Sequence, residues 1–157
     1  MSKPSPDQKV VVSNRKAFHH YSIEDRYEAG IVLRGSEVKA LREGKAILQH
    51  AFGDVRGEEV FLVGLHIPEY AQGSIGNHDP DRDRKLLLHR REIGRLLGKV
   101  AERGLTLIPL RLYFKGGRAK CELGLARGKK LHDKRASIRE RDAKREMAKE
   151  ARARQRA

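Results

Sequence analysis

The stretch over residues 108–125 decides the fold class of this 157-residue chain. It reads Ile108-Pro-Leu-Arg-Leu-Tyr-Phe-Lys-Gly-Gly-Arg-Ala-Lys-Cys-Glu-Leu-Gly-Leu125. Apolar residues recur with a period of two on both sides of Gly116-Gly117, which is the pattern of two half-buried strands joined by a tight turn. The stretch therefore predicts a β-hairpin with one apolar face on each strand: Ile108, Leu110, Leu112 and Phe114, then Ala119, Cys121, Leu123 and Leu125.

Other segments carry strand patterns as well. Residues 60–67 alternate in the same way, with Phe61, Val63, Leu65 and Ile67 on one face, and residues 47–55 alternate more weakly. Residues 17–34 are predicted to form two strands around Ile23-Glu-Asp-Arg26.

Two helices are predicted between the strands. Ser36 can cap a short helix that ends near Gly44, and residues 89–103 place apolar side chains at helical spacing before Gly104. About six short antiparallel strands with two flanking helices predict a mainly β fold. We expect a small closed or nearly closed barrel, because closure removes exposed strand edges.

Positive charge is concentrated at the C-terminal end. The chain has 35 Lys and Arg against 21 Asp and Glu, a net charge of +14, and residues 127–157 hold 13 of the basic and five of the acidic residues. A segment with so few apolar residues forms no core of its own. We therefore divide the chain into a flexible lead over 1–9, a folded barrel over 10–126 and a basic tail over 127–157. The charge excess favours a polyanionic partner, with nucleic acid first and an anionic membrane second.

Several classes of protein are excluded by composition. A single cysteine, Cys121, excludes a disulfide framework and a Cys-rich zinc module. The longest apolar stretch, near residues 105–110, is too short to span a bilayer, and residues 1–7 lack the apolar run of a secretory signal. We expect a cytoplasmic monomer that does not bind membranes.

No residue pattern predicts catalysis or a metal site. The seven histidines have no Cys or His partner at ligand spacing. Asp79, Asp81 and Asp83 resemble a calcium loop, but its sixth position is Arg84 rather than Gly and its twelfth is Arg90 rather than Glu. We expect a non-enzymatic protein without a cofactor or metal.

Basic residues in two segments are candidate ligands for phosphates. Lys39 and Arg42 are three residues apart and share a face of the first predicted helix. Residues 79–84 form a loop in which Asp and Arg alternate. We expect these side chains to pair with one another, while Arg82, Arg84 and Lys85 remain available to bind phosphates. Residues 86–88 are all leucine, and since three consecutive side chains cannot all face the core, one is expected at a binding surface.

The tail is predicted to respond to its surroundings. Residues 128–135 are dense in donors and predicted to be extended, whereas Ser137 and Glu140 match a capping box that starts a helix of about 30 Å running to Arg156. This helix has no apolar stripe with which to pack on the barrel. We expect it to be disordered in the free protein and helical once RNA surrounds it.

Blocks of residues spread along the chain carry a family resemblance. They are Asn14-Arg-Lys-Ala17, Glu28-Ala-Gly-Ile-Val-Leu33, Gly35-Ser-Glu-Val-Lys-Ala-Leu-Arg42, Gly44-Lys45, His66-Ile67, Asn77-His78, Arg84-Lys-Leu-Leu-Leu88, Gly104-Leu-Thr106, Tyr113-Phe114, Leu125-Ala-Arg-Gly-Lys-Lys130 and Asp133-Lys-Arg135. In this order they resemble the small protein B family, the SsrA-binding proteins of bacterial trans-translation. The resemblance runs from about residue 14 to about residue 145. Departures are slight: position 36 is Ser where Thr is common, and position 132 is His where Tyr is frequent.

The resemblance implies a fold and a function. The fold is an oligonucleotide-binding-type antiparallel barrel with flanking helices and a basic C-terminal helical tail. The function is to bind the tRNA-like domain of transfer-messenger RNA and to bring it to stalled ribosomes, where the tail enters the empty mRNA channel and decoding centre.

The resemblance also implies site residues. For the tRNA-like domain, three positions match the family, and neighbouring basic residues are added as candidates: Asn14, Glu28 and Leu87, then Arg15, Lys16, Lys39, Arg42, Lys45, Arg84 and Lys85. For the ribosome, the matching tail residues are Lys129, Lys130, His132, Asp133, Lys134 and Arg135.

Two other interpretations stay open from the sequence. One is a ribosomal or ribosome-assembly protein with a basic extension, which would prefer ribosomal RNA over a tRNA-shaped RNA. The other is a metal-dependent nuclease acting through Glu24, Asp25 and Glu28.

Overall fold

The computed structural model describes residues 8–70, 77–129 and 131–156. Within these residues the elements are, in chain order, β1 (Gln8–Ser13), α1 (Ala17–His20), β2 (Tyr21–Ile31), α2 (Gly35–Arg42), β3 (Phe52–Arg56), β4 (Glu59–Val63), β5 (Arg84–Leu87), α3 (Arg90–Arg103), β6 (Thr106–Lys115), β7 (Arg118–Gly128) and α4 (Leu131–Arg156).

Six strands close into a barrel, which confirms the predicted mainly β fold. The ring runs β2–β7–β6–β3–β4–β5 and returns to β2, and all pairs are antiparallel. The β3–β6 contact is made at one position, where Gly53 faces Leu107. A Cβ atom at Gly53 would lie 2.6 Å from the Cβ of Leu107, so closure at this point requires a glycine. A further strand, β1, extends the sheet along the second half of β6.

The barrel interior is filled by aliphatic side chains. Leu62, Leu107, Leu123 and Leu125 are at most 1% exposed. Burial of each such side chain contributes about 1.5–3 kcal/mol. The amphipathic α3 packs Leu96 and its neighbours against this core, and Gly104 ends the helix with the left-handed conformation (φ 61°) expected of a C-terminal glycine.

A β-bulge in β6 moves apolar side chains from the inside to the outside of the barrel. The pairing of β6 with β7 shifts between Pro109 and Arg111. As a result Ile108 and Leu110 face outward, while Leu112 faces the core. The single apolar face predicted for residues 108–114 is therefore wrong, because one extra residue in a strand reverses the alternation. The face predicted on β7 is confirmed.

A bulge also explains why residues 17–34 do not form two strands. Pairing with β7 shifts between Ile23 and Asp25, and the chain continues as the single strand β2 instead of turning. The preceding residues form α1, which packs Ala17 on the outward side chains Ile108 and Leu110.

The apolar face predicted for residues 60–67 is wrong for Phe61 and Val63 but confirmed for Leu65 and Ile67, which are fully buried. Val60 and Leu62 are the fully buried side chains of β4, which ends at Val63. Gly64 follows with φ 80°, a conformation that glycine adopts without strain, and it ends the alternation there.

Short elements were missed by the sequence analysis. β1 and the four-residue β5 carry too few alternating positions to be recognised, and the weak strand predicted at 47–55 is β3, shifted toward Arg56. Because β1 begins at Gln8, two residues of the predicted lead belong to the sheet, and the other seven lie outside the described residues.

The tail helix begins earlier than predicted. α4 starts at Leu131, so residues 131–135 are helical rather than extended, and Leu131, Lys134 and Arg135 are all good helix formers. From Ile138 to Gln155 every residue is exposed. A hydrogen bond of 3.0 Å between Arg141 Nη2 and His19 Nδ1 joins this helix to α1.

A buried ion cluster fixes α2 on the barrel. Glu37 and Arg84 are both fully buried, and Arg84 Nε donates to Glu37 Oε2 at 2.6 Å. Arg82 and the Arg34 backbone N–H, the latter at 2.8 Å, donate to the other carboxylate oxygen. Burial alone would raise the pKa of Glu37, but these hydrogen bonds outweigh it and hold the pKa below its usual value.

The start of α2 differs from the prediction that Ser36 caps the helix. α2 begins at Gly35, and the Glu37 carboxylate accepts a hydrogen bond from the backbone N–H of Arg34, the residue before the helix. The Ser36 hydroxyl is instead 2.8 Å from Nδ1 of the buried His78, whose Nε2 donates to the Ile67 carbonyl at 2.8 Å.

Replacing Glu37 tests this cluster. We expect Glu37→Gln to lower the free energy of unfolding at pH 7 by about 3–5 kcal/mol, because it leaves buried guanidinium groups without their counter-charge. Since the pKa of Glu37 is depressed, its contribution is complete above its unfolded-state pKa and is lost as the pH falls through the folded-state pKa. The difference between the two proteins should therefore shrink in acid.

Urea unfolding followed by circular dichroism measures both effects. Glu43→Gln is the matched control, because Glu43 is an exposed partner of Lys45 and should change stability by less than about 0.5 kcal/mol. Equal stability of the Glu37 variant and the control would contradict the assigned role.

Candidate nucleic-acid interface

The outer face of β2, β7 and β6 carries a polar network around Glu28. Tyr113 Oη donates to Glu28 Oε2 at 2.5 Å, and Lys115 Nζ lies 3.5 Å from the same oxygen. The hydrogen bond from Tyr113 is the main cause of a lowered pKa of Glu28, which burial opposes and Lys115 supports. Burial, together with this hydrogen bond, raises the pKa of Tyr113. Glu28 is therefore a fixed carboxylate at neutral pH.

The same face continues through a second carboxylate. Glu122 lies opposite Glu28 in the sheet and accepts hydrogen bonds from Arg111 and, at 3.2 Å, from Arg26 Nη1. The Arg111 guanidinium also lies 5.1 Å from the centre of the Tyr113 ring. Glu122 thus holds two arginines, and the Arg111 guanidinium beside the Tyr113 ring joins this group to Glu28. We call Arg26, Glu28, Arg111, Tyr113 and Glu122 the Glu28 network.

Leu87 projects from β5 beside this network. It pairs with Gly30, two residues after Glu28 on β2, and its side chain occupies the space above that glycine. Leu87 is 53% exposed whereas Leu86 is 2% exposed, so the prediction that one leucine of the triplet reaches the surface is confirmed. Lys85, on the same strand, pairs with Glu59 at 3.1 Å and stays partly exposed.

Three predicted basic residues lie on and after α2. The Lys39 ammonium is 5.5 Å from the centre of the Tyr70 ring, and the Arg42 guanidinium is 4.7 Å from that of Phe114. Lys45 pairs with Glu43 at 3.2 Å. All three are exposed, although Lys39 and Arg42 contact different aromatic rings and do not form one stripe.

Arg84 does not lie at the surface, contrary to the prediction that it meets phosphates. Besides Glu37, it donates to the carbonyls of Leu65 and, at 3.0 Å, Pro80. Arg82 is engaged by Glu37 as well. The Asp and Arg loop does bond internally, as in the Asp81 N–H to Asp79 Oδ1 bond of 3.0 Å, but its ion pairs are external: Asp83 pairs with Arg56 and Asp81 with His66.

The residues after β1 divide into one buried and two exposed positions. Asn14 is 6% exposed, and its side-chain amide donates to the Pro109 carbonyl at 3.1 Å, so it fastens β1 to β6. Arg15 and Lys16 lie in the exposed turn between β1 and α1. Lys16 faces a cleft beside α1 rather than the Glu28 network.

The tail residues begin where β7 ends. Lys129 is anchored on α1, since its backbone N–H donates to the His20 carbonyl and its Nζ to the Phe18 carbonyl, both at 2.9 Å. Lys130 lies outside the described residues. The backbone of His132, Asp133, Lys134 and Arg135 lies in the first turns of α4.

The acidic residues suggested for a nuclease do not come together. Glu24 pairs with Arg127 at 3.3 Å, Asp25 with Lys99 at 3.3 Å, and Glu28 belongs to its own network. Among the residues that the structure describes, no group of three or more His, Cys, Asp or Glu is placed to hold a metal ion. No helix in the described ranges combines the length and the apolar character needed to cross a membrane.

Several residues of this surface were missed by the sequence analysis. In the sequence they look like the ordinary polar positions of strands, which any exposed sheet face carries: Arg26, Arg111, Tyr113, Lys115 and Glu122. The alternation of polar and apolar residues could have identified them, because these residues share the outward side of the sheet once the positions of the bulges are known.

Comparisons with known proteins give the family. The sequence profile of the family described as "SmpB protein" matches residues 11–153. The chain is 57% identical over 141 residues to the SsrA-binding protein of Geobacter sulfurreducens, covering 90% of this chain and 92% of that protein. It is 60% identical over 141 residues to the SsrA-binding protein of Acidothermus cellulolyticus, with 90% and 89% covered.

A solved structure agrees with these sequence matches. It is described as "tmRNA-SmpB: a journey to the center of the bacterial ribosome", and a chain in it superposes with a TM-score of 0.64 at 53% identity over 76% of this chain and 85% of the other. The family profile over residues 11–153 and the relatives of 57–60% identity show that this chain belongs to the SmpB protein family.

Proposed function

We propose that this protein binds the tRNA-like domain of transfer-messenger RNA with the outer face of its barrel and carries that RNA to stalled ribosomes. The observation that carries the proposal is a preorganised carboxylate, Glu28, beside the exposed Leu87 on a chain of net charge +14. Relatives named SsrA-binding protein support it, as does the likeness to a chain of a tmRNA-SmpB structure.

Glu28 supplies base recognition rather than affinity for phosphates. A carboxylate repels the RNA backbone, so its use at an RNA surface requires donors such as base amino or imino groups. Tyr113 fixes one oxygen of Glu28, which leaves the other to accept from a base edge. A carboxylate that is already oriented loses little entropy on binding.

Leu87 and the surrounding lysines complete this surface. The exposed leucine offers an apolar contact for an unstacked base or a ribose. Lys85, Lys115 and Lys120 lie on the strands around Glu28 and supply phosphate contacts, as do Lys39, Arg42 and Lys45 of the α2 segment. Arg15 and Lys16 extend the basic surface toward the tail, whereas Asn14 acts through its hold on β6.

The tail acts at a second place. α4 spans 26 residues, about 39 Å at 1.5 Å per residue, and its described side chains face solvent. Isolated helices without a packed face are only marginally stable in water, so we infer that α4 frays in the free protein and becomes fully helical in the anionic mRNA channel. Lys129, Lys130, His132, Asp133, Lys134 and Arg135 would then contact the ribosome near the decoding centre.

The protein acts without catalysis in this proposal. Glu24, Asp25 and Glu28 have separate cationic or hydroxyl partners, so they lack the shared geometry of a two-metal nuclease. A partner on the bacterial ribosome implies a cytoplasmic location, and we propose that the protein acts as a monomer.

Replacing Glu28 tests recognition on the barrel. If Glu28 were a bystander, removing its negative charge would leave RNA affinity unchanged or raise it. We instead expect Glu28→Ala to weaken binding of the tRNA-like domain about tenfold or more, because a hydrogen bond to a charged group contributes about 1.5–3 kcal/mol. The dissociation constant can be measured by filter binding at fixed salt.

The matched control lies on the same strand. Glu24→Ala removes the same charge six residues before Gly30, which is the β2 partner of Leu87, and should change affinity by less than about twofold. If both variants gain affinity, Glu28 makes no contact with a base and its assigned role fails.

Truncation tests the division of labour between barrel and tail. We expect a chain ending at Lys130 to bind the tRNA-like domain within about threefold of the full chain but to lose ribosome rescue, measured as peptide tagging on a message without a stop codon. A chain ending at Met147 keeps residues 131–147 and should retain most of the rescue activity. Equal loss of RNA binding and rescue in the shorter chain would reject separate roles.

A further inference from the structure

A cleft of about 640 Å³ opens beside α1, where the tail leaves the barrel. One wall is α1 with the turn before it, and the other is the segment that leads into β3. The side chains that matter below are Lys16, His20, Tyr21, His50 and Phe52. Its volume falls within the range of clefts that hold small organic ligands.

The chemistry of the cleft suits an anionic aromatic ligand. Lys16, His20 and His50 are exposed donors, and Lys129 also lines the cleft. Among the described residues that line it, none is acidic. Phe52 is 43% exposed and, with Tyr21, offers an aromatic surface to a base.

The wall that carries His50 and Phe52 is held in place by backbone hydrogen bonds. Ala51 N–H donates to the Leu48 carbonyl at 3.1 Å, and Ile47 and His66 exchange backbone hydrogen bonds of 2.8 and 3.2 Å. Gly64 lies directly beneath this wall, since a Cβ atom there would come within 2.7 Å of the His50 carbonyl oxygen. The cleft is therefore formed before any ligand enters.

The cleft is a different surface from the Glu28 network. Tyr21 precedes Glu28 by seven residues on β2, a separation of about 23 Å at 3.3 Å per residue. The Arg26 guanidinium of the Glu28 network lies 5.5 Å from the ring centre of Phe18 on α1, and neither residue lines the cleft. A single nucleotide bound at Glu28 and Leu87 therefore does not occupy this cleft.

We propose that this cleft binds one unstacked nucleotide of single-stranded RNA, with the base on Phe52 and the phosphate held by Lys16 and the two histidines. The inference rests on the proposed function in that the protein works on RNA, but it concerns a second site on the chain. Because Lys129 is bonded to the carbonyls of Phe18 and His20, the nucleotide would be bound at the point where α4 begins. RNA that surrounds the tail is therefore the source of this nucleotide.

Photo-crosslinking tests the site directly. The probe is a hexauridylate with one 4-thiouridine, mixed with the full chain and irradiated, and the crosslinked peptides are identified by mass spectrometry. We expect crosslinks at Tyr21 or Phe52. The double variant His50→Ala/Phe52→Ala should reduce their yield at least about fivefold, because loss of one stacking contact weakens binding by that much or more.

Control measurements separate this site from the rest of the molecule. Leu97→Ala removes an exposed apolar side chain of α3 and should leave the crosslinks unchanged. The double variant should bind the tRNA-like domain within about twofold of the unmodified chain. Absence of crosslinks outside α4, or an equal yield from the double variant, would overturn the site while leaving tRNA-like domain binding intact. Failure of the unmodified chain to bind the tRNA-like domain would count against the proposed function instead.

Discussion

The buried ion pair between Glu37 and Arg84 is the interaction on which the rest of the structure depends. Arg84 is the first residue of β5, the four-residue strand that closes the barrel between β4 and β2. Its guanidinium also binds the Leu65 and Pro80 carbonyls, while Glu37 brings α2 over the same region. This pair adds a side-chain anchor to the backbone pairing of β5 with β4 and β2, and the position of Leu87 beside Glu28 follows from β5. A buried ion pair thus helps to position the surface that is proposed to bind RNA.

Charge is used in opposite ways by the barrel and the tail. On the barrel, acids and bases hold one another: Glu28 with Tyr113 and Lys115, and Glu122 with Arg26 and Arg111. Such pairing orients donors and acceptors and favours recognition of a shaped RNA. On the tail the 13 basic residues outnumber five acids, and the described side chains of α4 are exposed. Such an excess of positive charge attracts any RNA with closely spaced phosphates, and the attraction depends little on the RNA sequence.

The sequence predicted the barrel because a period of two is a local property. The glycine turn at 116–117, the inward face of β7 and the α3 helix with Gly104 could all be read from neighbouring residues. Bulges could not, since an extra residue in one strand is visible only against its partner. The bulge on β6 reversed a predicted apolar face, and the bulge on β2 lies where two strands were predicted instead of one. Arg84 was misassigned for a related reason: its counter-charge, Glu37, lies 47 residues earlier in the chain. The Glu28 network likewise joins residues up to 96 positions apart.

Amide hydrogen exchange followed by mass spectrometry tests the central claim most directly, by comparing the free chain, its complex with the tRNA-like domain, and the stalled ribosome. The account predicts that the tRNA-like domain slows exchange in β2 near Glu28 and in β5, while the amides of Ile138–Gln155 exchange as fast as in the free chain. Only the ribosome should slow exchange in α4. Strong protection of α4 in the free chain, or its protection by the tRNA-like domain alone, would contradict the separation of the two surfaces.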